Sequence, residues 1–176
     1  IVGVSAQAGL FTREVLEAMA TYDQRPMVFA LSNPTSKAEC TAREAYQWTG
    51  GRAIYASGSP FEPVTLNGQT YRPGQGNNAY IFPGVGLGAL VSGASRITDD
   101  MFSAAARTLS ELVSSDDLNQ GLIYPPLSKI RAVSTRIAVA VAQVAYASGL
   151  ATQPEPADLE ASVRAQMYEP NYTPYA

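Results

Sequence analysis

Residues 26–59 decide the fold; they read PMVFALSNPTSKAECTAREAYQWTGGRAIYASGS. In this stretch, two apolar runs lie on either side of a short capped helix. Residues 26–31 form a continuous apolar run of strand length, which favours a buried strand. Thr41 and Glu44 have the spacing of a capping box, so a helix is predicted to begin there. Two glycines end that helix, and the second apolar run, residues 53–56, predicts another strand.

The same alternation extends towards the start of the chain. Residues 1–5 predict a short strand, and Thr12 opens a predicted helix that ends near Tyr22. Strand–helix–strand–helix–strand order predicts an α/β fold, Rossmann-like, with a mostly parallel sheet and flanking helices. After this unit, Asn67-Gly68 is typical of a β-hairpin turn.

C-terminal helices follow the sheet. An apolar, helix-like segment covers residues 79–91 and contains Gly84, Gly86 and Gly88, which indicate close backbone approach to a neighbouring element or ligand, or a kink near Pro83. Further helices are predicted over residues 98–113, 127–148 and 157–166, with a turn region at 118–122. A stripe at helical spacing on the long helix indicates core packing; its residues are Ile130, Val133, Ile137, Val141 and Val144.

Polar residues follow the predicted strands where ligands bind in such sheets, beyond the carboxyl ends. They are Ser5, Ser32, Asn33, Ser57 and Ser59. A second polar stretch, Gln75-Gly76-Asn77-Asn78, precedes the helix-like segment. Two interpretations of this pair of asparagines stay open: an anion site at a helix start, or an ordinary asparagine cap.

Composition excludes several classes of function. The 176 residues carry 12 basic and 15 acidic side chains without a basic cluster, so neither nucleic acid nor a membrane surface is an expected partner. No histidine is present, which removes histidine-based catalysis and metal binding. Cys40, the single cysteine, is expected to be a buried, inert thiol. With no targeting segment visible, the cytoplasm or an organelle matrix is the expected location.

The acidic side chains offer no convincing acid–base or metal set. Asp99-Asp100 and Asp116-Asp117 have the positions of helix caps and solvated surface. Glu39 and Glu44 are expected on or beside a solvent-facing helix. The chain therefore supplies neutral groups that bind and orient a ligand.

An ordered series of motifs is specific where each motif alone is weak. The motifs are Phe29-Ala30-Leu31-Ser32-Asn33-Pro34-Thr35, Ala38-Glu39-Cys40-Thr41-Ala42, Ala56-Ser57-Gly58-Ser59-Pro60-Phe61, Pro73-Gly74-Gln75-Gly76-Asn77-Asn78-Ala79-Tyr80-Ile81-Phe82-Pro83-Gly84 and Leu122-Ile123-Tyr124-Pro125-Pro126-Leu127. In order and spacing, from Ile1 to about Leu150, the series closely resembles malic enzyme.

The resemblance implies oxidative decarboxylation of malate to pyruvate with reduction of NAD or NADP, assisted by Mg or Mn. It implies that residues 1–150 are the C-terminal part of the NAD(P)-binding domain and residues 151–176 a C-terminal arm. The substrate-binding residues that it implies are Asn33, Asn77 and Asn78. The cofactor-binding residues that it implies are Gly3, Val4, Ser5, Ser32, Asn33 and Asn78. Ala6 and Ala8 depart from the family, whose loop is usually richer in Gly or Pro.

No catalytic residue or metal ligand of the family falls within this chain; the resemblance places them upstream of Ile1. The expected partners are thus malate, pyruvate and the N-terminal part of the same enzyme. A tail containing Tyr168, Tyr172 and Tyr175 also suggests packing in a homo-oligomer. Two alternatives stay open: a catalytically inactive dinucleotide-binding or regulatory module, and a malolactic enzyme, which releases lactate.

Overall fold

A four-stranded parallel sheet forms the centre of the first of two compact units. The computed structural model describes residues 1–169. The first unit contains residues 1–78 and 110–127, and the second contains residues 79–109 and the chain from residue 128. The strands of the sheet are β1 (Val2–Gly3), β2 (Met27–Ala30), β3 (Ile54–Ser57) and β6 (Gly74–Gln75). Their spatial order is β1-β2-β3-β6 with every pair parallel, which confirms the predicted α/β class.

Helices connect the parallel strands as the sequence predicts. Helix α1 (Arg13–Tyr22) lies between β1 and β2, and α2 (Ala42–Trp48) lies between β2 and β3. The capping box of α2 is confirmed: Thr41 Oγ1 accepts from the Glu44 amide at 3.2 Å, and Glu44 Oε2 accepts from the Thr41 amide at 2.8 Å. These bonds satisfy backbone donors that the first turn of a helix leaves unpaired.

The core of the first unit lies between the sheet and these helices. Leu16 of α1, Val28 of β2 and Tyr55 of β3 are fully buried. The Tyr55 hydroxyl donates to the Cys40 carbonyl at 3.0 Å, so this buried polar group is satisfied. Cys40 is buried, as predicted, and this burial raises the pKa of its thiol to about 12, which disfavours the reactive thiolate.

The hairpin is confirmed as β4 (Val64–Leu66) paired antiparallel with β5 (Gln69–Tyr71). Asn67 and Gly68 both have positive φ, 50° and 81°, as a tight hairpin turn requires. The sequence does not predict strand β6 or helix α5 (Ser115–Asn119), whose last two residues fall in the predicted turn region 118–122. The capping role predicted for Asp116-Asp117 is confirmed for Asp117, which completes a capping box with Ser114.

The second unit is helical. Its elements are α3 (Phe82–Ser92), most of α4 (Asp99–Glu111), α6 (Ile130–Ala147) and α7 (Leu159–Gln166). Val91 of α3, Ala138 of α6 and Val163 of α7 form a common buried cluster. The predicted core stripe of α6 is confirmed at its centre, since Val133, Ile137 and Val141 are buried.

The glycines of α3 serve close helix packing at two of three positions. A methyl group on Gly84 would lie 2.6 Å from Ile137 Cβ, and one on Gly88 would lie 2.5 Å from the Ala138 carbonyl oxygen. Gly86 has no atom of another element within 4 Å of that position. The predicted close approach is therefore to α6, at Gly84 and Gly88.

The end of the described chain contains part of the predicted arm. Tyr168 is 80% exposed, whereas Tyr172 and Tyr175 lie outside the described residues. The division into residues 1–150 and 151–176 stays a prediction. Among residues 1–169, no helix combines the length and the apolar character needed to cross a membrane.

Candidate functional site

The carboxyl ends of the four parallel strands meet at one edge of the sheet. In register, Gly3 pairs with Ala30, Ala30 with Ser57, and Ser57 with Gln75. The residues that follow the strands are therefore neighbours along this edge. They include the predicted site residues Val4, Ser5, Ser32, Asn33 and Asn77.

A buried carboxylate that sequence reasoning missed lies beneath this edge. Glu39 is 0% exposed, so the prediction of a solvent-facing position is wrong. It follows a 3₁₀ turn, Thr35–Lys37, and lies ahead of α2, where the chain passes under the ends of β1 and β2. The available signal was its position between two small apolar residues, Ala38 and Cys40, both of which are buried.

Four hydrogen bonds hold the Glu39 carboxylate. Oε1 accepts from the Ser5 amide at 3.0 Å, from Ser5 Oγ at 3.2 Å and from Ser32 Oγ at 2.5 Å. Oε2 accepts from the Ser32 amide at 3.4 Å. Burial is the largest single influence and raises the pKa of Glu39, but the bonds from Ser32 and Ser5 outweigh it, and the pKa is lowered overall. The carboxylate is therefore ionised near neutral pH.

Gly3 is required by this arrangement. Its predicted role is cofactor contact, and the structure shows it buried directly against Glu39. A methyl group at Gly3 would lie 2.5 Å from Glu39 Cδ, a distance that no side chain could occupy without displacing the carboxylate. The absence of a side chain at Gly3 thus makes room for the buried acid.

Asn33 lies beside the end of the next strand. Its side-chain carbonyl accepts from Ser59 Oγ at 2.5 Å, and Ser57 Oγ donates to the Ser59 carbonyl at 2.7 Å. Gln75 Nε2 donates to the Gly58 carbonyl at 3.2 Å, which links the third and fourth strands of the edge. The structure thus brings Asn33 together with the predicted serine loop, and Asn33 itself is exposed.

Asn77 and Asn78 are exposed and follow β6 after one residue, Gly76. The Gly76 amide donates to the Ser57 carbonyl at 2.9 Å, so the β3–β6 pairing continues up to the asparagines. A methyl group on Gly76 would lie 3.0 Å from the Leu31 side chain, which places this turn next to the end of β2.

The asparagine pair does not cap an α-helix. Asn78 begins a 3₁₀ turn that ends at Tyr80, and α3 begins only at Phe82 with Ile81 as its N-cap. The prediction that these side chains lie at the start of the helix is wrong. The physical reason is Pro83, which suits the first turn of an α-helix and fixes the start of α3 nearby.

The donor set of the edge suits a dinucleotide or carboxylate ligand better than a metal ion. Exposed amide side chains and backbone groups can hold anionic and amide groups without a fixed counter-charge. Within residues 1–169, no group of three or more Cys, Asp or Glu side chains is placed to hold a metal ion. We therefore assign no step of chemistry to a metal on these residues.

The parallel sheet and the neutral polar side chains at its carboxyl edge are typical of a dinucleotide-binding α/β domain. The family described as "Malic enzyme, NAD binding domain" matches residues 1–146, and the chain belongs to this family. The predicted resemblance is thereby confirmed.

Relatives and solved structures agree with the family. The chain is 54% identical over 178 residues to a mitochondrial NADP-dependent malic enzyme of Mus musculus, and 52% identical over 176 residues to a chloroplastic one of Oryza sativa. These alignments cover 100% and 99% of the chain but 30% and 28% of the relatives, so the chain spans under a third of their length.

Crystal structures of two malic enzymes share the fold. The enzyme of Entamoeba histolytica superposes with a TM-score of 0.69 at 26% identity, covering 89% of this chain and 28% of that one. The enzyme of Pyrococcus horikoshii superposes with a TM-score of 0.65 at 27% identity, covering 90% and 31%.

Proposed function

We propose that this chain is the part of a malic enzyme that holds malate and the nicotinamide end of NADP in register. The observation that carries the proposal is the row of exposed neutral side chains at the carboxyl edge of a parallel sheet, in a chain of this family. The reaction is oxidative decarboxylation of malate to pyruvate. NADP is preferred to NAD because the relatives described above are named NADP-dependent.

Each proposed role follows from chemistry and position. Asn77 offers its amide to a malate carboxylate, because an amide donates to an anion without adding charge. Asn78 follows Gly76 by two positions, and Gly76 lies beside Leu31, two positions before Asn33. Both asparagines are proposed to contact malate and the nicotinamide. The residues proposed to shape the dinucleotide site are Gly3, Val4, Ser5, Ser32, Asn33 and Asn78.

Bound NADP would accept a hydride from the hydroxyl-bearing carbon of malate, and a carboxylate of the oxidised product would then leave as carbon dioxide. The contribution of this chain is orientation, because hydride transfer needs donor carbon and acceptor ring at near-attack distance. Proton-transfer groups and Mg or Mn ligands are proposed to come from the remainder of a longer polypeptide. We place that enzyme in the cytoplasm or an organelle matrix, as a homo-oligomer.

Steady-state kinetics of the full-length polypeptide that carries this chain tests the proposal. We expect Asn77→Ala to raise the KM for malate, or to lower kcat, by about 10- to 100-fold, as expected for one lost hydrogen bond to a charged group. Asn119→Ala is the matched control, because Asn119 is exposed at the end of α5 and lines a pocket with Arg25 and Ala53, which precede β2 and β3 at the opposite end of the sheet.

Two results would reject the proposal. Unchanged kinetics in Asn77→Ala would remove the substrate role of this loop. Lactate in place of pyruvate as the product would instead identify a malolactic reaction on the same scaffold.

A further inference from the structure

The loops that follow β1 and β2 are joined by a buried acid rather than by direct contact alone. Ser5 belongs to the first loop and Ser32 to the second, and they lie 27 positions apart in the chain, with Glu39 seven positions beyond Ser32. All four hydrogen bonds that Glu39 accepts come from these two serines, from the amide and hydroxyl of each. The carboxylate is therefore a bridge between the two loops.

Further hydrogen bonds connect the two serine hydroxyls to the backbone of the first loop. Ser32 Oγ, which donates to Glu39, accepts from the Ala6 amide at 2.9 Å. Ser5 Oγ accepts from the Gln7 amide at 3.3 Å. Between these anchors Ala6 has φ of 56°, in the left-handed region that residues other than glycine rarely adopt. The network thus imposes a backbone shape that the local sequence disfavours.

The donors of Ser32 point inward, away from the exposed edge. Ser32 is 6% exposed, and both its amide and its hydroxyl donate to Glu39. Its place in the dinucleotide site is therefore explained better by support of the loop than by donation to the ligand.

We propose that Glu39 is a positioning residue: it holds residues 4–7 and the Ser32–Asn33 turn in the shape that receives the dinucleotide. This inference rests on the proposed function, because it requires that these loops contact NADP. Glu39 itself touches no ligand, since it is fully buried behind Gly3.

A carboxylate is the group that this position needs. A carboxylate has acceptors only, and the four groups of Ser5 and Ser32 that hydrogen-bond to it are all donors. Glutamine with its oxygen at the Oε1 position would keep that oxygen's three bonds, but its NH₂ group would face the Ser32 amide, another donor, and the negative charge would be lost. Aspartate would keep the charge but is one methylene shorter, so it would not reach both loops.

The experiment compares Glu39→Gln and Glu39→Asp with wild type in the full-length polypeptide. Dissociation constants for NADP are measured by fluorescence titration, with kinetics and thermal unfolding in parallel. We expect both variants to weaken NADP binding on the order of tenfold. Glu44→Gln, five positions along the chain, is the control and should bind NADP as wild type does.

The outcomes separate this inference from the proposed function. A lower melting temperature with unchanged NADP affinity in the Glu39 variants would show a purely structural residue and would overturn the inference. Wild type without measurable NADP affinity would overturn both proposals. If Glu39→Gln fails to fold, Glu39→Asp decides by the same readouts.

Discussion

The close packing of α3 on α6 makes opposite predictions for two glycines one helical half-turn apart. Alanine has a helix propensity about 1 kcal/mol more favourable than that of glycine in a helix interior. A methyl group at Gly86 would meet no neighbouring atom, so Gly86→Ala should stabilise the protein by up to about that amount. Gly88→Ala gains the same propensity but places its methyl group 2.5 Å from the Ala138 carbonyl oxygen and 2.8 Å from Val141 Cβ.

These two contacts determine whether Gly88→Ala stabilises or destabilises the protein. Both neighbours belong to α6, and neither a carbonyl oxygen nor a Cβ atom can rotate away, so the two helices must separate. Overpacking of this kind costs about 1–3 kcal/mol. Because helix propensity is common to both variants, it cancels, and Gly88→Ala should be about 1–3 kcal/mol less stable than Gly86→Ala.

The assay is urea-induced unfolding followed by circular dichroism, with the two variants and wild type measured side by side. The expected order of midpoints is Gly86→Ala above wild type above Gly88→Ala. Equal midpoints for the two variants would refute the reasoning, because they would mean that the backbone of α3 does not approach α6 at Gly88.

Two further predictions concern the first unit. Ala6→Gly should raise the free energy of unfolding by about 1 kcal/mol, because glycine adopts the observed φ of 56° without the penalty of a side chain; an unchanged or lower urea midpoint would contradict this. Cys40 should resist a thiol-specific maleimide in the native protein up to pH 9, since burial raises its pKa to about 12 and keeps it as the neutral thiol. It should react promptly once urea unfolds the chain, and prompt native labelling would show that the thiol is accessible.

Local patterns predicted what local interactions determine. The capping box at Thr41 and the Asn67-Gly68 turn each depend on residues a few positions apart, and both have the expected geometry. Strand β6 could not be predicted in this way, because two residues, Gly74 and Gln75, become a strand only through their register with β3. The start of α3 was predictable in principle, since Pro83 marks a first helical turn better than an asparagine marks a cap.

Glu39 escaped prediction for a related reason. A glutamate three positions before a helix is ordinarily solvated, and its burial depends on donors 34 and seven positions away, at Ser5 and Ser32. No short window of sequence contains all three residues, which come together only through the pairing of β1 with β2. The remaining clue was the presence of serines after the predicted strands. A buried carboxylate without a cation needs several hydrogen-bond donors, and each serine supplies two, its amide and its hydroxyl.

The same network explains how this loop differs from a glycine-rich one. A glycine at position 6 would adopt the left-handed conformation at no steric cost, whereas alanine there costs about 1–2 kcal/mol. The hydrogen bonds from the Ala6 amide to Ser32 Oγ and from Ser32 Oγ to Glu39 offset that cost. Loop shape at the first strand is thereby coupled to the turn that carries Asn33 at the second. It follows that Ala6→Gly, which relieves the strain, should also lessen the dependence of NADP binding on Glu39.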